Sequence, residues 1–348
     1  MRQNIVTVLP PVNMIKEDEG LFLPFLTYRL APLKVRRLNN AFVTHSGFCL
    51  TNKGLAKECY HDYPGQLSDY LKEASGYYEN ALVNPQQLIE LDDEQTYLLI
   101  HHPWFMYYHW ICESLFRLWM VKEQLDSLIL LLPEKYQGSE YVRASLEPFA
   151  LKKIFFIPDQ KSVLLNSLCV PQIKTKMEGY DRVALKEVSS FYRRHVSDKK
   201  RLNTNFGERI YVSRRKAGRR HVINEEEVVD IMKKYDFIVL CNEDHGFFEQ
   251  VAIHAHARYL VSIHGSGLTN MLFMPEGSSI LEFHKQQTTS YDWHSQIFWY
   301  MADALGHRYF HQICPPEDPA ADIFVGNLIV DTVLLEQNLL QMLDGKLI

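Results

Sequence analysis

The sequence is poor in cysteine and holds no paired cysteine motif. Its six cysteines are scattered over 348 residues, and no Cys-x-x-Cys spacing occurs. Cys112 and Cys241 lie inside apolar stretches, where a free cysteine is typical of a small core residue. This distribution favours a reducing compartment and argues against a disulfide-stabilised secreted domain.

Long hydrophobic runs are missing as well. No segment approaches the roughly 18 apolar residues that a membrane-spanning helix needs. The N-terminal segment contains prolines and acidic side chains, without the apolar stretch and small-residue cleavage site of a signal peptide. We therefore expect a cytoplasmic protein, whose association with a membrane would be peripheral and at its inner face.

An excess of positive charge is also absent. The formal net charge of −5 gives no overall signature of a nucleic-acid-binding protein. One local exception is the basic cluster formed by Arg214, Arg215, Lys216, Arg219 and Arg220. Positive charge confined to one short segment of an acidic chain favours a small anionic ligand, such as a phosphate, over a long polyanion.

The second half of the chain alternates regularly between apolar segments and amphipathic ones. Strands are predicted at 209–213, 237–241, 259–264 and 279–283. Helices are predicted after Asn224, over 247–258, after the Gly265 and Gly267 loop, and over 292–305. Apolar strands that alternate with helices in this way predict a parallel, Rossmann-like sheet.

The first half of the chain predicts a second α/β domain after an irregular lead-in over 1–40. The predicted elements are a hairpin over 42–54, strands at 97–100, 127–132 and 153–157, and helices at 104–124 and 141–149. We place the interdomain linker at 171–182, a polar segment that Pro171 and Gly179 interrupt. A last helix over 322–343 carries an apolar stripe that must be buried.

The loop after the third strand of the second half is the first candidate ligand site. Its residues are His264, Gly265, Ser266, Gly267, Leu268, Thr269 and Asn270. Two glycines let the backbone approach a ligand closely, and the following helix offers free N–H groups to a pyrophosphate. The alternative is a purely structural turn, although His264 and Asn270 supply polar groups that such a turn does not need.

Three further segments end at the same predicted edge of the sheet. Ser213 and Arg214 follow the first strand, and Arg214 is suited to bidentate recognition of a phosphate. Arg219 and Arg220 are weaker candidates, and a solvated basic face is the alternative for the whole cluster. Glu243, Gln250 and Glu282 also approach this edge, where an acid can bind ribose hydroxyls, although each taken alone is more typical of a structural residue.

One helix of the first half carries a polar stripe. His109, Glu113 and Arg117 follow each other at intervals of four residues and share one face of a regular helix. Glu113 can orient His109, or act with it, as a general base on a hydroxyl. The alternatives are a salt-bridge ladder in a domain interface and a zinc site, whose ligands would be His101, His102, His109 and Glu113.

Together, these motifs resemble glycosyltransferase family 61. The residues that carry the resemblance are Ser213-Arg214, Arg220 with Asn224-Glu225, Glu249-Gln250, the loop His264 to Asn270, Phe273 to Gly277, and Glu282. The segment Tyr108-His109-Trp110 with Glu113 and Arg117 resembles the N-terminal signature of that family. Phe116 stands where the family has a proline, and the first 95 residues show hardly any likeness.

The resemblance implies an α/β protein of GT-B architecture, in which two Rossmann-like domains face each other across a cleft. Residues 1–175 would form the acceptor-side domain and residues 176–320 the nucleotide-sugar-binding domain. Residues 321–348 would form a helix that crosses back onto the N-terminal domain. Tyr108 and Arg117 would lie on the acceptor side.

The resemblance also implies an inverting sugar transfer, from a nucleoside diphosphate sugar to a hydroxyl of a glycan or glycolipid precursor. Family members use UDP-linked xylose, arabinose or N-acetylglucosamine, and members without a membrane span resemble enzymes of bacterial capsule or lipopolysaccharide assembly. Arg214 and the His264 to Asn270 loop would neutralise the diphosphate, Glu243 and Glu282 would hold the nucleoside, and His109 or Glu113 would be the base. Because no DxD-like acidic pair ends a strand, we expect no obligatory divalent metal.

Two functions of other classes remain open at this point. A nucleotide-dependent oxidoreductase would also use a Rossmann-like sheet, but its GxGxxG fingerprint after the first strand is absent. A non-catalytic sugar-nucleotide-binding scaffold would keep the C-terminal motifs and dispense with His109 and Glu113.

Overall fold

The computed structural model describes residues 4–63, 65–92, 94–198, 206–290 and 292–344. The chain divides into two compact units. Unit 1 contains Leu30–Gly179, and unit 2 contains Ile5–Arg29 together with the chain from Tyr180 onward. The predicted α/β class is confirmed, since both units combine helices with parallel or mixed sheets.

Seventeen strands occur among the described residues. They are β1 (Asn4–Thr7), β2 (Thr27–Leu30), β3 (Val35–Leu38), β4 (Ala41–Thr44), β5 (Cys49–Thr51), β6 (Gly54–Leu55), β7 (Leu88–Glu90), β8 (Thr96–Leu99), β9 (Leu128–Pro133), β10 (Lys153–Ile157), β11 (Ser162–Leu165), β12 (Leu168–Pro171), β13 (Arg209–Val212), β14 (Ile238–Leu240), β15 (Tyr259–Ile263), β16 (Ser279–Lys285) and β17 (Arg308–Cys314). Strands β1 and β2 pair with each other in a two-stranded sheet.

The described residues also form ten α-helices. They are α1 (Glu19–Phe22), α2 (Gln66–Val83), α3 (Tyr107–His109), α4 (Leu115–Trp119), α5 (Glu140–Leu146), α6 (Arg182–Asp198), α7 (Glu225–Lys234), α8 (Phe247–His256), α9 (Ile297–Leu305) and α10 (Thr332–Asp344). A π-helix over Trp110–Ser114 joins α3 to α4. Among the helices of the described ranges, none combines the length and the apolar composition that a membrane crossing requires.

Unit 1 is built on two five-stranded sheets that share a core. In the first, with the order β10-β9-β8-β12-β3, only β3 runs antiparallel to its neighbour. The second, with the order β6-β5-β4-β11-β7, is mixed and contains two hairpins, which lie where a single hairpin was predicted. Leu99 and Leu131 of the first sheet pack with Val43 and Val163 of the second.

Unit 2 is built on one parallel sheet with the order β14-β13-β15-β16-β17. The predicted parallel sheet is therefore confirmed, and β17 is a fifth strand that the sequence analysis missed. Every residue of β16 is buried, as expected for a strand covered on both faces. Because all five strands are parallel, the loops that follow β13, β15 and β16 meet at one edge of the sheet.

The last helix packs within unit 2, which differs from the predicted return to the N-terminal domain. Leu335, Leu339 and Met342 are fully buried and join a core with residues of α7 and β17. Asn338 donates a hydrogen bond to Gln312 of β17, at 3.1 Å. The helix begins at Thr332 rather than near residue 322.

The lead-in also differs from the predicted irregular segment. Residues 5–29 belong to unit 2, and the Trp299 indole donates to the Leu9 carbonyl at 2.8 Å. The Asn13 amide donates to the His311 carbonyl at 2.7 Å, which ties this segment to β17. Residues 5–29 therefore contribute to the second unit, whereas the sequence analysis placed them in an N-terminal domain over 1–175.

Candidate functional site

In unit 1, a buried carboxylate is surrounded by three histidines, and we call these four residues the Glu113 cluster. One Glu113 oxygen, Oε1, lies 2.8 Å from Nε2 of His61. The other, Oε2, lies 2.9 Å from Nε2 of His102 and 2.7 Å from Nδ1 of His109. The Glu113 side chain has no exposed surface, whereas His109 keeps 8% of its own.

The Glu113 carboxylate is ionised despite its burial. Burial alone would raise its pKa, but His61 and His109, together with the hydrogen bonds from His102 and His109, hold the pKa well below its usual range. An anion at this position has no access to solvent. Glu113 therefore acts on ligands only through the histidines that contact it.

A π-helix follows His109 and contains Glu113. Its wider turn inserts an extra residue into the helix, a device that occurs frequently at functional sites. The Trp110 indole anchors this turn by donating to the Ser145 hydroxyl at 2.8 Å. The helix predicted over 104–124 is confirmed over 107–119, where the structure divides it into α3, the π-helix and α4.

The surroundings of the three histidines favour particular tautomers. The Gln66 amide nitrogen lies 3.4 Å from Nδ1 of His61, and the Trp104 backbone N–H points to Nδ1 of His102 at 3.5 Å. Donors at Nδ1 leave the proton of each ring on Nε2, which faces Glu113. In His109 the arrangement is reversed, since Nδ1 faces Glu113 and leaves Nε2 as the nitrogen available to a substrate proton.

His61 is the functional candidate that sequence reasoning missed. It lies 52 positions before Glu113 and belongs to none of the recognised motifs. Its backbone N–H donates to Gln66 Oε1 at 2.5 Å, and its ring stacks on Trp104 with centroids 5.1 Å apart. No local pattern in the sequence signals this contact, because only the tertiary fold brings residue 61 to residue 113.

Arg117 and Tyr108 lie near the Glu113 cluster but have different partners from those predicted. Arg117 is fully buried, and its guanidinium donates to the carbonyls of Pro171, Ile100 and His101 at 2.7, 2.7 and 3.1 Å. The Tyr108 hydroxyl donates to the Met177 carbonyl at 3.2 Å and accepts from Lys174 at 2.9 Å. Arg117 therefore holds backbone segments of unit 1 together rather than continuing the His109 stripe.

Replacing Arg117 with Met should destabilise the protein strongly. Three buried carbonyls would lose their donor, and removing one partner from such a network typically costs about 3–5 kcal/mol. Urea denaturation of the variant would measure this loss. Arg143→Met, on the exposed face of α5, is the matched control and should change the free energy of unfolding by less than about 0.5 kcal/mol. Equal stability of both variants would contradict the assigned role.

The four-residue zinc site considered from the sequence does not assemble. His101 turns its Nδ1 to the Leu131 carbonyl at 3.0 Å, and burial lowers the pKa of His101 to about 3. His102, His109 and Glu113 do place ligand atoms within 4.8 Å of one another. Those atoms are engaged in the direct contacts described above, and the tautomers of His61 and His102 direct N–H groups at Glu113.

In unit 2, two arginines converge on the first glycine of the predicted loop. A Cβ atom added to Gly265 would lie 2.8 Å from Nη1 of Arg214 and 3.4 Å from Nη2 of Arg220. Gly265 has an extended backbone that any residue adopts, so the glycine is required for space rather than for backbone conformation. We call Arg214, Arg220 and Gly265 the arginine site.

The arginine site holds concentrated positive charge. Burial, and for Arg220 also the neighbouring Arg214 and Arg219, lowers the pKa values of both arginines, that of Arg220 to about 10. Both remain charged near neutral pH. Among the described residues, neither guanidinium has a carboxylate within ion-pair distance, and each Nε lacks a hydrogen-bond partner. Two adjacent cations of this kind are suited to an anionic ligand.

The glycine loop continues into a 3₁₀ helix over Ser266–Phe273, where a short helix after the loop was predicted. Leu268 is fully buried, and its N–H donates to the Gly265 carbonyl at 3.0 Å. A Cβ at Gly267 would lie 3.2 Å from Val212 Cγ1. The second glycine and Leu268 therefore serve the packing of the loop on β13, and Gly265 borders the arginines.

Glu282 lies beneath this loop and not at its surface. It has no exposed area, accepts from Tyr309 at 2.7 Å and contacts Nδ1 of His264 at 2.5 Å. Although burial opposes ionisation, His284 and His264 hold the pKa of Glu282 far below its usual range. Both of its oxygens are therefore engaged by the protein, and Glu282 orients His264. Nucleoside binding by Glu282 stays a prediction.

The side chains of Gln250 and Asn270 also bond to the protein itself and hold the loop in place. The Gln250 amide donates to the carbonyls of Asn242 and His245 at 3.0 and 2.8 Å, and its oxygen accepts from Asn270 at 2.8 Å. Ser213 is buried, and its hydroxyl accepts from the Arg215 N–H at 3.2 Å. These side chains hold the edge of the sheet together.

Two of the predicted ligand-facing residues remain at the surface of this edge. Glu243 is exposed in a 3₁₀ turn after β14 and interacts electrostatically with Arg214. Ser266 is half-buried beside Gly265. They stay candidates for contacts with a bound ligand.

The chain is similar in sequence to proteins of known type. The sequence profile described as Glycosyltransferase 61 matches residues 107–281, which is half of the chain. The chain is also 36% identical, over 77 residues, to the EGF domain-specific O-linked N-acetylglucosamine transferase of Drosophila melanogaster. That stretch covers 21% of this chain and 15% of the relative. The chain thus matches only a small part of that longer protein.

Proposed function

Since this chain belongs to glycosyltransferase family 61, we propose that it transfers a sugar from a UDP-linked donor to a hydroxyl of a glycan or glycolipid precursor, with inversion at the anomeric carbon. The observation that carries the proposal is the arginine site, where two arginines, neither of them ion-paired among the described residues, border a glycine loop at the edge of a parallel sheet. Ligands of α/β proteins bind at that edge.

On the donor side, Arg214 and Arg220 bind the diphosphate. Their guanidiniums suit phosphate oxygens because each can form paired hydrogen bonds with two of them. As the bond from the sugar to the diphosphate breaks, negative charge grows on the leaving oxygen, and fixed cations stabilise that charge. We propose that the two arginines do this without an obligatory divalent metal, and that Glu243 meets the nucleoside.

On the acceptor side, His109 is the general base. Its Nε2 takes the proton of the acceptor hydroxyl as that oxygen attacks the anomeric carbon, and the nucleoside diphosphate departs with the electrons of the broken bond. Glu113 accepts from Nδ1 of the same ring and stabilises the imidazolium that forms, so Glu113 is a positioning residue. The N–H groups that His61 and His102 direct at Glu113 hold the carboxylate in position to accept from His109.

The family resemblance supports two finer proposals. We propose a GT-B architecture in which unit 2 binds the donor and unit 1 binds the acceptor. We also propose a cytoplasmic or peripheral enzyme of capsule or lipopolysaccharide assembly.

The full chain should be incubated with UDP-xylose, UDP-arabinose or UDP-N-acetylglucosamine and a set of methyl glycosides. Mass spectrometry would detect the product, and NMR would report its anomeric configuration. Transfer with inversion supports the proposal. UDP-sugar binding without any transfer would favour a non-catalytic scaffold, and transfer with retention would contradict the proposed mechanism.

Gly265→Ala should weaken donor binding without unfolding the protein. The added Cβ would meet the far end of the Arg214 side chain at 2.8 Å, so the guanidinium must move. We expect roughly a tenfold rise in the Kd for UDP, the scale of one charge-assisted hydrogen bond, as measured by calorimetry. Gly218→Ala has no atom within 4 Å of the new Cβ and is the matched control. If both variants bind UDP equally well, Arg214 does not contact the diphosphate.

A further inference from the structure

An exposed aromatic ring lies beside the Glu113 cluster. Tyr63 is 44% exposed, yet its ring lies nearly parallel to that of Trp104, with an interplanar angle of 21° and centroids 6.2 Å apart. It is also nearly parallel to the His61 ring, at 28° and 6.4 Å. The exposed Tyr63 ring is therefore parallel to the ring of His61, which belongs to the Glu113 cluster, and to that of Trp104, which borders the cluster.

Hydrogen bonds hold this exposed ring in place. The Gln66 amide nitrogen donates to the hydroxyls of Tyr63 and Tyr70, at 3.1 and 3.3 Å. Gln66 is itself buried, and its oxygen is fixed by the His61 backbone N–H. Ordering an exposed side chain costs conformational entropy before any ligand arrives. A ring that is already ordered loses less conformational entropy when a ligand binds, so the ligand is bound more tightly.

Trp104 connects this ring to the proposed base. The centroids of Trp104 and His109 are 4.9 Å apart, and the Trp104 ring also lies within 5.8 Å of His102. Trp104 is therefore the ring that links Tyr63 to His109, since it lies 6.2 Å from the first and 4.9 Å from the second, centroid to centroid. An exposed aromatic ring that is ordered beside these histidines is a candidate surface for ligand binding.

We propose that Tyr63 and Trp104 form a stacking platform for a pyranose ring of the acceptor, so that the enzyme glycosylates a sugar and not a protein side chain. The proposal rests on the proposed function and specifies the acceptor class of that same site. A pyranose presents a flat face of C–H groups that matches an aromatic face, and its hydroxyls project from the ring edge. Stacking on the platform therefore directs one hydroxyl toward Nε2 of His109.

Tyr63→Ala tests the platform, with Tyr78→Ala as the matched control. Tyr78 is 46% exposed on α2 of the same unit and packs on Phe42. With methyl glycosides as acceptors, Tyr63→Ala should raise the acceptor KM roughly tenfold or more, on the scale of one lost aromatic contact. The Kd for UDP should not change. Tyr63→Phe keeps the ring and should stay within about threefold of the parent, and Tyr78→Ala should behave like the parent.

Saturation-transfer NMR of the same methyl glycosides gives a second readout that needs no turnover. Binding that Tyr63→Ala abolishes and Tyr78→Ala retains would support the platform even if no transfer were found, in which case only the proposed function would fail. An unchanged acceptor KM in Tyr63→Ala would overturn the platform while leaving the proposed function intact. Transfer to a serine- and threonine-containing peptide, with no transfer to any glycoside, would overturn the acceptor class.

Discussion

His109→Gln is expected to abolish sugar transfer while leaving UDP binding unchanged. The substitution removes the nitrogen that accepts the acceptor proton, and the loss of a general base typically lowers kcat by about 10²–10⁴-fold. The arginine site belongs to unit 2, so the Kd for UDP should stay at the parent value. Steady-state kinetics and calorimetry on the same preparation measure the two quantities.

The control for this prediction is His256→Gln. His256 lies at the end of α8, where its Nδ1 contacts the Ala252 carbonyl at 2.9 Å. Glu113→Gln should also lower kcat, because an amide stabilises the imidazolium less well than a carboxylate. A His109→Gln enzyme with parental kcat would eliminate His109 as the base.

Arg214→Ala is expected to have the second large effect, on donor binding. The Arg214 guanidinium borders Gly265, and its Nε has no hydrogen-bond partner among the described residues, so it is available to a phosphate oxygen. Losing a hydrogen bond to a charged group costs about 1.5–3 kcal/mol, which corresponds to roughly a 10- to 150-fold rise in the Kd for UDP.

Two further variants make the Arg214 prediction specific. Arg214→Lys keeps the positive charge but loses the planar guanidinium with its paired donors. It should therefore recover only part of the affinity for UDP. Arg194→Ala removes an exposed arginine from α6 of the same unit and should leave the Kd for UDP unchanged. If Arg214→Ala and Arg194→Ala bind UDP equally, the basic cluster is a solvated face rather than a phosphate site.

The arginine site could be predicted from the sequence because its signals are local. A strand that ends in Ser213 and Arg214, and a strand that ends at the Gly265 loop, both place their next residues at one edge of a parallel sheet. The structure brings Arg214, Arg220 and Gly265 together there. Sequence patterns of this kind depend only on strand direction and on neighbouring residues.

The Glu113 cluster could be predicted only in part. The contact between His109 and Glu113 follows from a spacing of four residues. Arg117 was assigned to the same face because a regular helix was assumed. The π-helix rotates the residues after it to a different face of the helix. His61 arrives from a distant segment, and nothing short of the tertiary fold places it beside Glu113.

The partners of the Glu282 carboxylate could not be predicted from the sequence. A carboxylate between Leu281 and Phe283 is costly unless it is paired or exposed to a ligand, and the sequence did not reveal which applied. The partners come from the same strand, from the next one and from the loop, in the form of His284, Tyr309 and His264. The same difficulty affects α10 and residues 5–29, whose packing in unit 2 depends on contacts remote in sequence.

A thermal-shift panel of the full chain with UDP, NAD and NADP tests the central claim most directly. The account predicts that UDP alone raises the midpoint of unfolding, because a ligand that binds only the folded state stabilises it. The shift should disappear in Arg214→Ala and persist in Arg194→Ala. Stabilisation by NAD or NADP without any response to UDP would contradict the account and favour an oxidoreductase.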